Sequence, residues 1–262
     1  MFKIGFMGMG KMGSALLRGI MGRGLYKKEE IAFFAPSKAT QEKYTKEGLF
    51  LASDERALFE NSNLVILAIK PQKYDEIFKK LEFCPSEGKT IISLAPGKSL
   101  AYLASVFKGS RIARAMPNTP AIIGKAVSTL AFLEEPITEV LEIFSSIGTY
   151  SIVEEKQIDE AIPLQGSMPA YLFEFARGFI EAGASHGIER EEAKRLVLHS
   201  IIGSCYLALE SDEPLETLID NVCSKGGSTI AGLDKLKEAG FAKAIGDCYD
   251  ACVKRSLELA KV

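Results

Sequence analysis

The sequence predicts two parts of different class: a doubly wound α/β domain with a parallel sheet over residues 1–154, then an all-α domain over 155–262. Two observations predict this. The first part alternates short apolar runs with amphipathic stretches, which is the pattern of strands covered by helices on both faces. After about Glu154 the strand-like runs stop, and long helical segments follow one another. At 262 residues the chain is long enough for two domains, and 47% hydrophobic residues supply ample core.

Strands are expected at Phe2–Met7, Ile31–Ala35, Leu64–Ile69, Thr90–Leu94, Arg111–Ala115 and Ser128–Leu133. These runs are apolar on both faces, as a parallel sheet covered by helices on each side demands. Ser14–Arg23 reads as the first helix, with Ala15, Leu16, Gly19 and Ile20 on one face. In the second part, helices are expected at Met168–His186, Arg190–Glu210, Pro214–Cys223, Ser228–Glu238 and Phe241–Leu259. Gly187 is a natural stop for the first of these, and Glu191 and Glu192 favour the start of the next. Tyr171, Phe173, Phe175, Phe179 and Ile180 spread apolar surface around much of one helix. Such a helix needs several neighbours, so the helical domain is expected to complete its core against a second copy of the chain.

Charge and cysteine usage remove other classes. The net charge of -2 and the absence of any Lys/Arg block give no footing for nucleic acid or an anionic membrane. The longest apolar runs fall far short of the ~20 residues of a membrane span. No leader-like segment precedes the first strand, so the cytoplasm is the expected compartment. Five scattered cysteines make no disulfide framework. Cys248 and Cys252 share a helix face, but no clustered His or second thiol pair joins them, so no metal site is expected. His186 and His199 are isolated, and neither is a strong catalytic candidate.

The first strand runs into Gly8-Met9-Gly10-Lys11-Met12-Gly13. A G-x-G-x-x-G that follows a strand and opens a helix is the fingerprint of a Rossmann-type dinucleotide site. Gly8 allows the tight turn, Gly10 lets a pyrophosphate approach the backbone, and Gly13 lets helix and strand pack closely. Phosphates then meet the free N–H groups of the helix N-terminus. An NAD site carries Asp or Glu at the tip of the second strand, to hold the ribose hydroxyls. Here that tip reads Ala35-Pro36-Ser37-Lys38. A hydroxyl and an ammonium suit a 2′-phosphate, so NADPH is expected over NADH. Ala68-Ile69-Lys70-Pro71, the turn containing Ala95, and Met116-Pro117-Asn118-Thr119-Pro120 follow later strands at their carboxyl ends, where such sheets bind ligands.

Asp220 to Leu233 gather hydroxyls, an amide and two glycines just before a helix. Two readings stay open on the residues alone: an anion nest for a small carboxylate, or an ordinary helix start capped by Ser228 or Thr229.

Ser224-Lys225-Gly226-Gly227-Ser228-Thr229 followed by Ile230-Ala231-Gly232-Leu233 resembles the signature of the pyrroline-5-carboxylate reductase family. The resemblance runs the length of the chain through Gly8–Gly13, Ala68–Pro71, Met116–Pro120 and Gly166-Ser167-Met168-Pro169-Ala170-Tyr171. It implies hydride transfer from NADPH to the cyclic imine 1-pyrroline-5-carboxylate, giving proline. It also implies that the Thr229 hydroxyl bonds the substrate's ring nitrogen, and that Ser224, Gly227 and Ser228 hold its carboxylate. Asn221 and Asp220 match positions near substrate and nicotinamide, and Glu155 matches a substrate position. An intertwined homodimer through the helical domain is implied, with larger rings of dimers beyond it.

Three residues depart from the family pattern: Lys225 for Pro, Met168 for Gly and Pro96 for Ala. They leave open a related cyclic imine as substrate, or a non-catalytic NADPH-binding scaffold. A β-hydroxyacid dehydrogenase is disfavoured, because Gln165–Ser185 holds neither the Lys nor the Asn that such an enzyme uses there.

Overall fold

The computed structural model describes residues 1–260. Eight strands form one sheet: β1 (Phe2–Met7), β2 (Ile31–Phe34), β3 (Phe50–Leu51), β4 (Ser62–Leu67), β5 (Thr90–Ser93), β6 (Arg111–Pro117), β7 (Ala126–Phe132) and β8 (Gly148–Ile152). Their order is β3-β2-β1-β4-β5-β6-β7-β8, with the reversal between β1 and β4 that marks a dinucleotide crevice. All neighbours run parallel except β6 and β7. The sequence predicts a wholly parallel sheet, and this pair is the exception. Its connection, residues 118–125, is too short for a crossover, so β7 must turn back along β6.

Seven helices accompany these strands: α1 (Lys11–Gly22), α2 (Lys38–Lys46), α3 (Glu55–Glu60), α4 (Tyr74–Leu81), α5 (Leu100–Val106), α6 (Thr138–Ser145) and α7 (Glu155–Glu160). Strand residues alternate between two cores, which is the physical content of a doubly wound sheet. Ile4, Phe6, Phe33, Leu64 and Ile66 join Leu16 and Ile20 of α1 and Val140, Ile143 and Phe144 of α6 on one face. Met7, Val65, Leu67 and Ile91 join Phe59, Tyr74, Phe78, Leu103 and Ile158 on the other.

The helical region comprises α8 (Met168–Ser185), α9 (Arg190–Glu210), α10 (Leu215–Val222), α11 (Ser228–Glu238) and α12 (Phe241–Ala260). Gly187 has φ +88°, the left-handed conformation that ends α8. The Glu189 carboxylate accepts the Glu192 N–H at 2.9 Å and caps α9.

The compact units divide differently from the sequence boundary at 154. One comprises 1–169 together with 252 onward, and the other 170–251. Residues 155–169 stay with the sheet because Ile158 is buried in its second core and Asp159 pairs with Arg114 of β6. The 170–251 unit buries few apolar residues of its own, chiefly Ala176 and Ala193. Phe173, Phe179, Ile202, Tyr206 and Leu207 stand at least half exposed. A cluster of this size left open to water is the surface a second copy would cover.

Candidate functional site

In the sheet-bearing unit the carboxyl edge is built around the glycine loop. Gly8 turns with φ +99°, and a Cβ there would lie 2.5 Å from the Ala68 carbonyl oxygen, so both conformation and space require glycine. Its N–H donates to the Phe34 carbonyl at 2.9 Å, and the Ala68 N–H donates to Met7 O at 2.9 Å. Those two bonds bring the tips of β2 and β4 to the loop. A Cβ on Gly13 would lie 2.5 Å from Gly8 O, so α1 packs directly on the turn. Gly10 is different. A Cβ there would meet no atom within 4 Å, so the fold does not itself demand glycine at this point. Gly10 is also the N-cap of α1, with no side-chain cap and no acidic residue in the first turn. Unpaired N–H groups beside an open approach fit a pyrophosphate.

Met9 is buried and Met12 packs against the first core, so these two offer a ligand their backbone, while Lys11 is exposed. The loop is braced from behind by a chain that sequence reasoning missed. The Tyr44 hydroxyl donates to Ser14 Oγ at 2.5 Å, and Ser14 Oγ donates to Met9 O at 3.3 Å. Nothing local signals it, since Tyr44 comes from α2.

At the β2 tip Ala35 is buried and its carbonyl accepts from Gln41 Nε2 at 2.7 Å. Ser37 is the N-cap of α2, its Oγ accepting the Thr40 N–H at 3.5 Å, which leaves the hydroxyl proton free to donate. Lys38 is exposed and forms no ion pair among the described residues. This tip therefore fits a 2′-phosphate.

After β4, Ala68 and Ile69 are half-buried and Lys70 is exposed; the side chain of Pro71 lies outside the described residues. After β5, Ala95 is buried, its N–H donating to Ser93 Oγ at 3.4 Å. The Asn118 side chain is engaged on both ends. Its Nδ2 donates to Gln165 O at 3.0 Å and its Oδ1 accepts the Val127 N–H at 3.0 Å. It ties the loop after β6 to β7 and to the segment before α8. Glu155 sits beneath this edge: its Oε1 accepts from the Leu100 N–H at 2.5 Å and pairs with Arg114 Nη1 at 3.0 Å.

In the 170–251 unit, α10 ends beside a compact turn. Asp220 and Asn221 lie in its last turn, both exposed. Gly226 has φ +70°, and the Gly227 N–H donates to Ser224 O at 2.9 Å. A Cβ on Gly227 would lie 2.4 Å from Ser224 Oγ, so glycine lets that hydroxyl close over the turn. The N-cap of α11 is Gly227, not Ser228 or Thr229, and no side chain caps it. Neither the Ser228 nor the Thr229 hydroxyl has a partner among the described residues, and both are exposed. Of the two readings open on sequence, the capped helix start is not what the turn adopts. It presents free N–H groups and two free hydroxyls, with Lys225 exposed beside them, and this set suits a small carboxylate.

A Rossmann-type sheet with a phosphate-ready glycine loop, joined to a helical region carrying an anion-ready turn, defines a dinucleotide-dependent oxidoreductase. The comparisons with known proteins narrow that class. The family model for pyrroline-5-carboxylate reductase dimerisation matches residues 155–259. The model for NADP oxidoreductase, coenzyme F420-dependent, matches 3–97. The pyrroline-5-carboxylate reductase of Methanosarcina acetivorans is 33% identical over 99% of this chain and 98% of its own length. That of Escherichia coli is 29% identical over the same shares. A Plasmodium falciparum pyrroline carboxylate reductase solved with NADP bound superposes with a TM-score of 0.88 at 31% identity, covering 99% of this chain and 98% of that one. The chain belongs to the pyrroline-5-carboxylate reductase family.

No helix among the described residues is long and apolar enough to cross a membrane, and no group of three or more His, Cys, Asp or Glu there could hold a metal ion.

Proposed function

We propose that this chain reduces 1-pyrroline-5-carboxylate to L-proline with NADPH. The single observation that carries the reading is the uncapped start of α11, where Gly227 leaves the first-turn N–H groups and the Ser228 and Thr229 hydroxyls without partners. Such a turn binds a carboxylate through charge-assisted bonds, and a neighbouring hydroxyl remains for a ring nitrogen. Reduced nicotinamide, when bound, supplies the hydride that the imine carbon accepts.

The chain's own part is placement and proton handling. Ser224, Gly227 and Ser228 hold the substrate carboxylate. The Thr229 hydroxyl hydrogen-bonds the ring nitrogen, accepting from its N–H when the substrate binds as the iminium and donating the proton to it when the substrate binds as the neutral imine. Hydride addition to the carbon then leaves the amine nitrogen of proline. Asn221 and Asp220 border the same turn. Gly8 to Gly13 receive the pyrophosphate, with Met9, Lys11 and Met12 contributing backbone groups. Ala35, Ser37 and Lys38 receive the adenosine phosphate. Ala68, Ile69, Lys70, Pro71, Ala95 and Asn118 border the nicotinamide half. No strong acid is needed where substrate binds as its iminium, which is why no His serves here.

Steady-state NADPH oxidation with 1-pyrroline-5-carboxylate tests the reading, and the absence of turnover despite tight NADPH binding would favour a scaffold. A second reading, a related cyclic imine as preferred substrate, is favoured by Met168, which stands at the start of α8 with 41% exposure where the family pattern has glycine. A panel of cyclic imines separates the two. We further propose residues 155–262 as the dimerisation and substrate domain, with the homodimer joining into a ring of dimers, and the cytoplasm as compartment. Sedimentation at micromolar concentration reports the assembly, and a folded 28.5 kDa monomer would contradict it.

A further inference from the structure

We infer that Glu155 is a positioning residue for the cofactor loop rather than a ligand of the substrate. The inference rests on the function proposed above. Arg114 lies in the middle of β6 with its side chain 4% exposed, and its register partner on β5 is Ser93, the last residue of that strand. Its guanidinium pairs with Glu155 at 3.0 Å and with Asp159 at 3.4 Å, both on α7. Asp159 in turn accepts from the Ser256 hydroxyl at 3.3 Å. The Glu155 Oε1 that meets Arg114 also accepts the N–H of Leu100, the first residue of α5, at 2.5 Å. That N–H is one of the orphan donors of a helix start.

These contacts fix both ends of the segment between β5 and α5. At its start, the Tyr74 hydroxyl and Ser93 Oγ lie 2.9 Å apart, and Ser93 Oγ accepts the Ala95 N–H. At its end, Glu155 holds Leu100. The segment between them, residues 94–99, lies at the carboxyl edge of β5, on the β4 side of the reversal. When the adenosine half lies at β2, this is the side left for the nicotinamide half. The Oε1 of Glu155 is shared between a buried guanidinium and a backbone N–H, which fixes the carboxylate against β6 and the start of α5 with the side chain 32% exposed, so removing it acts first on the 94–99 segment.

The test compares Glu155→Ala with Glu155→Gln. Alanine removes both contacts. Glutamine keeps an acceptor for Leu100 and Arg114 while losing the charge. In the cofactor-free protein, E155A is expected to exchange amide hydrogens across 94–103 at least tenfold faster. Its NADPH dissociation constant, measured without imine, should rise about tenfold, with the imine KM within twofold of the parent. E155Q should restore exchange and NADPH affinity to within threefold. A rise in imine KM with NADPH affinity unchanged in E155A overturns the inference in favour of substrate binding. Unchanged exchange and affinity overturn it outright. Should E155A not fold, Arg114→Lys, which keeps the buried charge but cannot reach both carboxylates, is expected to weaken NADPH binding by a similar factor, and unchanged binding there counts against the inference. If the parent binds NADPH but reduces no imine, the proposed function fails while the exchange and affinity measurements still report on Glu155.

Discussion

Gly10→Ala separates cofactor recognition from folding more cleanly than any other change in the glycine loop. Gly10 has φ -73° and ψ -165°, angles an alanine adopts without strain. The added methyl would meet no protein atom within 4 Å. Two small effects on folding oppose each other. Alanine is a poorer N-cap than glycine by roughly 1 kcal/mol or less. It also restricts the unfolded chain, which stabilises by about 0.4–1 kcal/mol. The cofactor-free protein should therefore unfold within about 1 kcal/mol of the parent. Binding should suffer far more. A phosphate oxygen must come to about 2.9 Å from a backbone nitrogen, whereas a methyl carbon holds neighbouring atoms off at roughly 3.5 Å or more. Losing one charge-assisted bond at about 1.5–3 kcal/mol raises the NADPH dissociation constant roughly 10- to 150-fold. Denaturant unfolding without cofactor and a fluorescence titration with NADPH measure the two quantities. Gly13→Ala is the contrast: its Cβ would lie 2.5 Å from Gly8 O, so stability should fall by roughly 1–3 kcal/mol together with affinity. An NADPH affinity of Gly10→Ala within twofold of the parent would refute the pyrophosphate assignment.

Thr229→Val should leave NADPH binding unchanged and lower kcat by about 10–100-fold, the range of a positioned proton donor; equal turnover would remove Thr229 from the chemistry. Lys38→Ala should lower the NADPH/NADH ratio of kcat/KM about fivefold, for roughly 1 kcal/mol of exposed charge pairing, and less at high salt; an unchanged ratio at low salt would leave Lys38 as a solvated loop residue. Lys89 donates to Ser62 O at 2.6 Å and Glu60 O at 3.3 Å, and Lys89→Met should destabilise by roughly 1–3 kcal/mol through those unpaired carbonyls, as urea unfolding would show. Burial holds the Lys89 ammonium below the usual lysine range, so over that interval the unfolded chain binds more protons and the parent gains stability as pH rises; the methionine variant should lack this alkaline gain.

The fold was legible where burial imposes a pattern. The six strands read from the sequence are all present, because each is covered by helices and so carries apolar residues on both faces; Thr90, Ser93, Arg114, Ser128 and Thr129 are buried polar exceptions among them. The two strands that escaped, β3 and β8, are the sheet edges. Phe50–Leu51 is too short to show a period, and Gly148–Ile152 alternates polar with apolar residues and stays largely exposed. Beside the sheet only α1 was placed residue by residue; α2 to α6 were expected only as amphipathic stretches between strands, and the six residues of α7 carry too little periodicity to be read, although Ile158 and Asp159 within it are buried. The boundary at 154 marks where the composition changes. The compact unit runs on to 169 because that segment is held by Arg114, a residue far away in sequence.

Site legibility follows the same division. Gly8, Gly10 and Gly13 could be read because their spacing falls within one strand-to-helix turn, although the neighbour that excludes a Cβ at Gly8 is Ala68, far away in sequence, and no protein atom excludes one at Gly10. Ser224 to Thr229 could be read as a polar turn before a helix, but the sequence could not choose between nest and cap. That choice depends on which residue takes the N-cap, and Gly227 takes it because its missing Cβ admits the Ser224 hydroxyl. Glu155 and Asn118 were legible as positions but not in what their side chains do. Glu155 meets Leu100 and Arg114, and Asn118 meets Gln165, each across dozens of residues. Motif reading marks where a ligand's surroundings lie. It cannot distinguish a side chain that touches the ligand from one that holds the wall behind it, since both keep the same residue type in place. What each side chain already holds makes the distinction: Glu155 is tied to Arg114 and Leu100 and Asn118 to Gln165 and Val127, whereas the Thr229 hydroxyl has no partner among the described residues, which is what makes it the one to test first against a ligand.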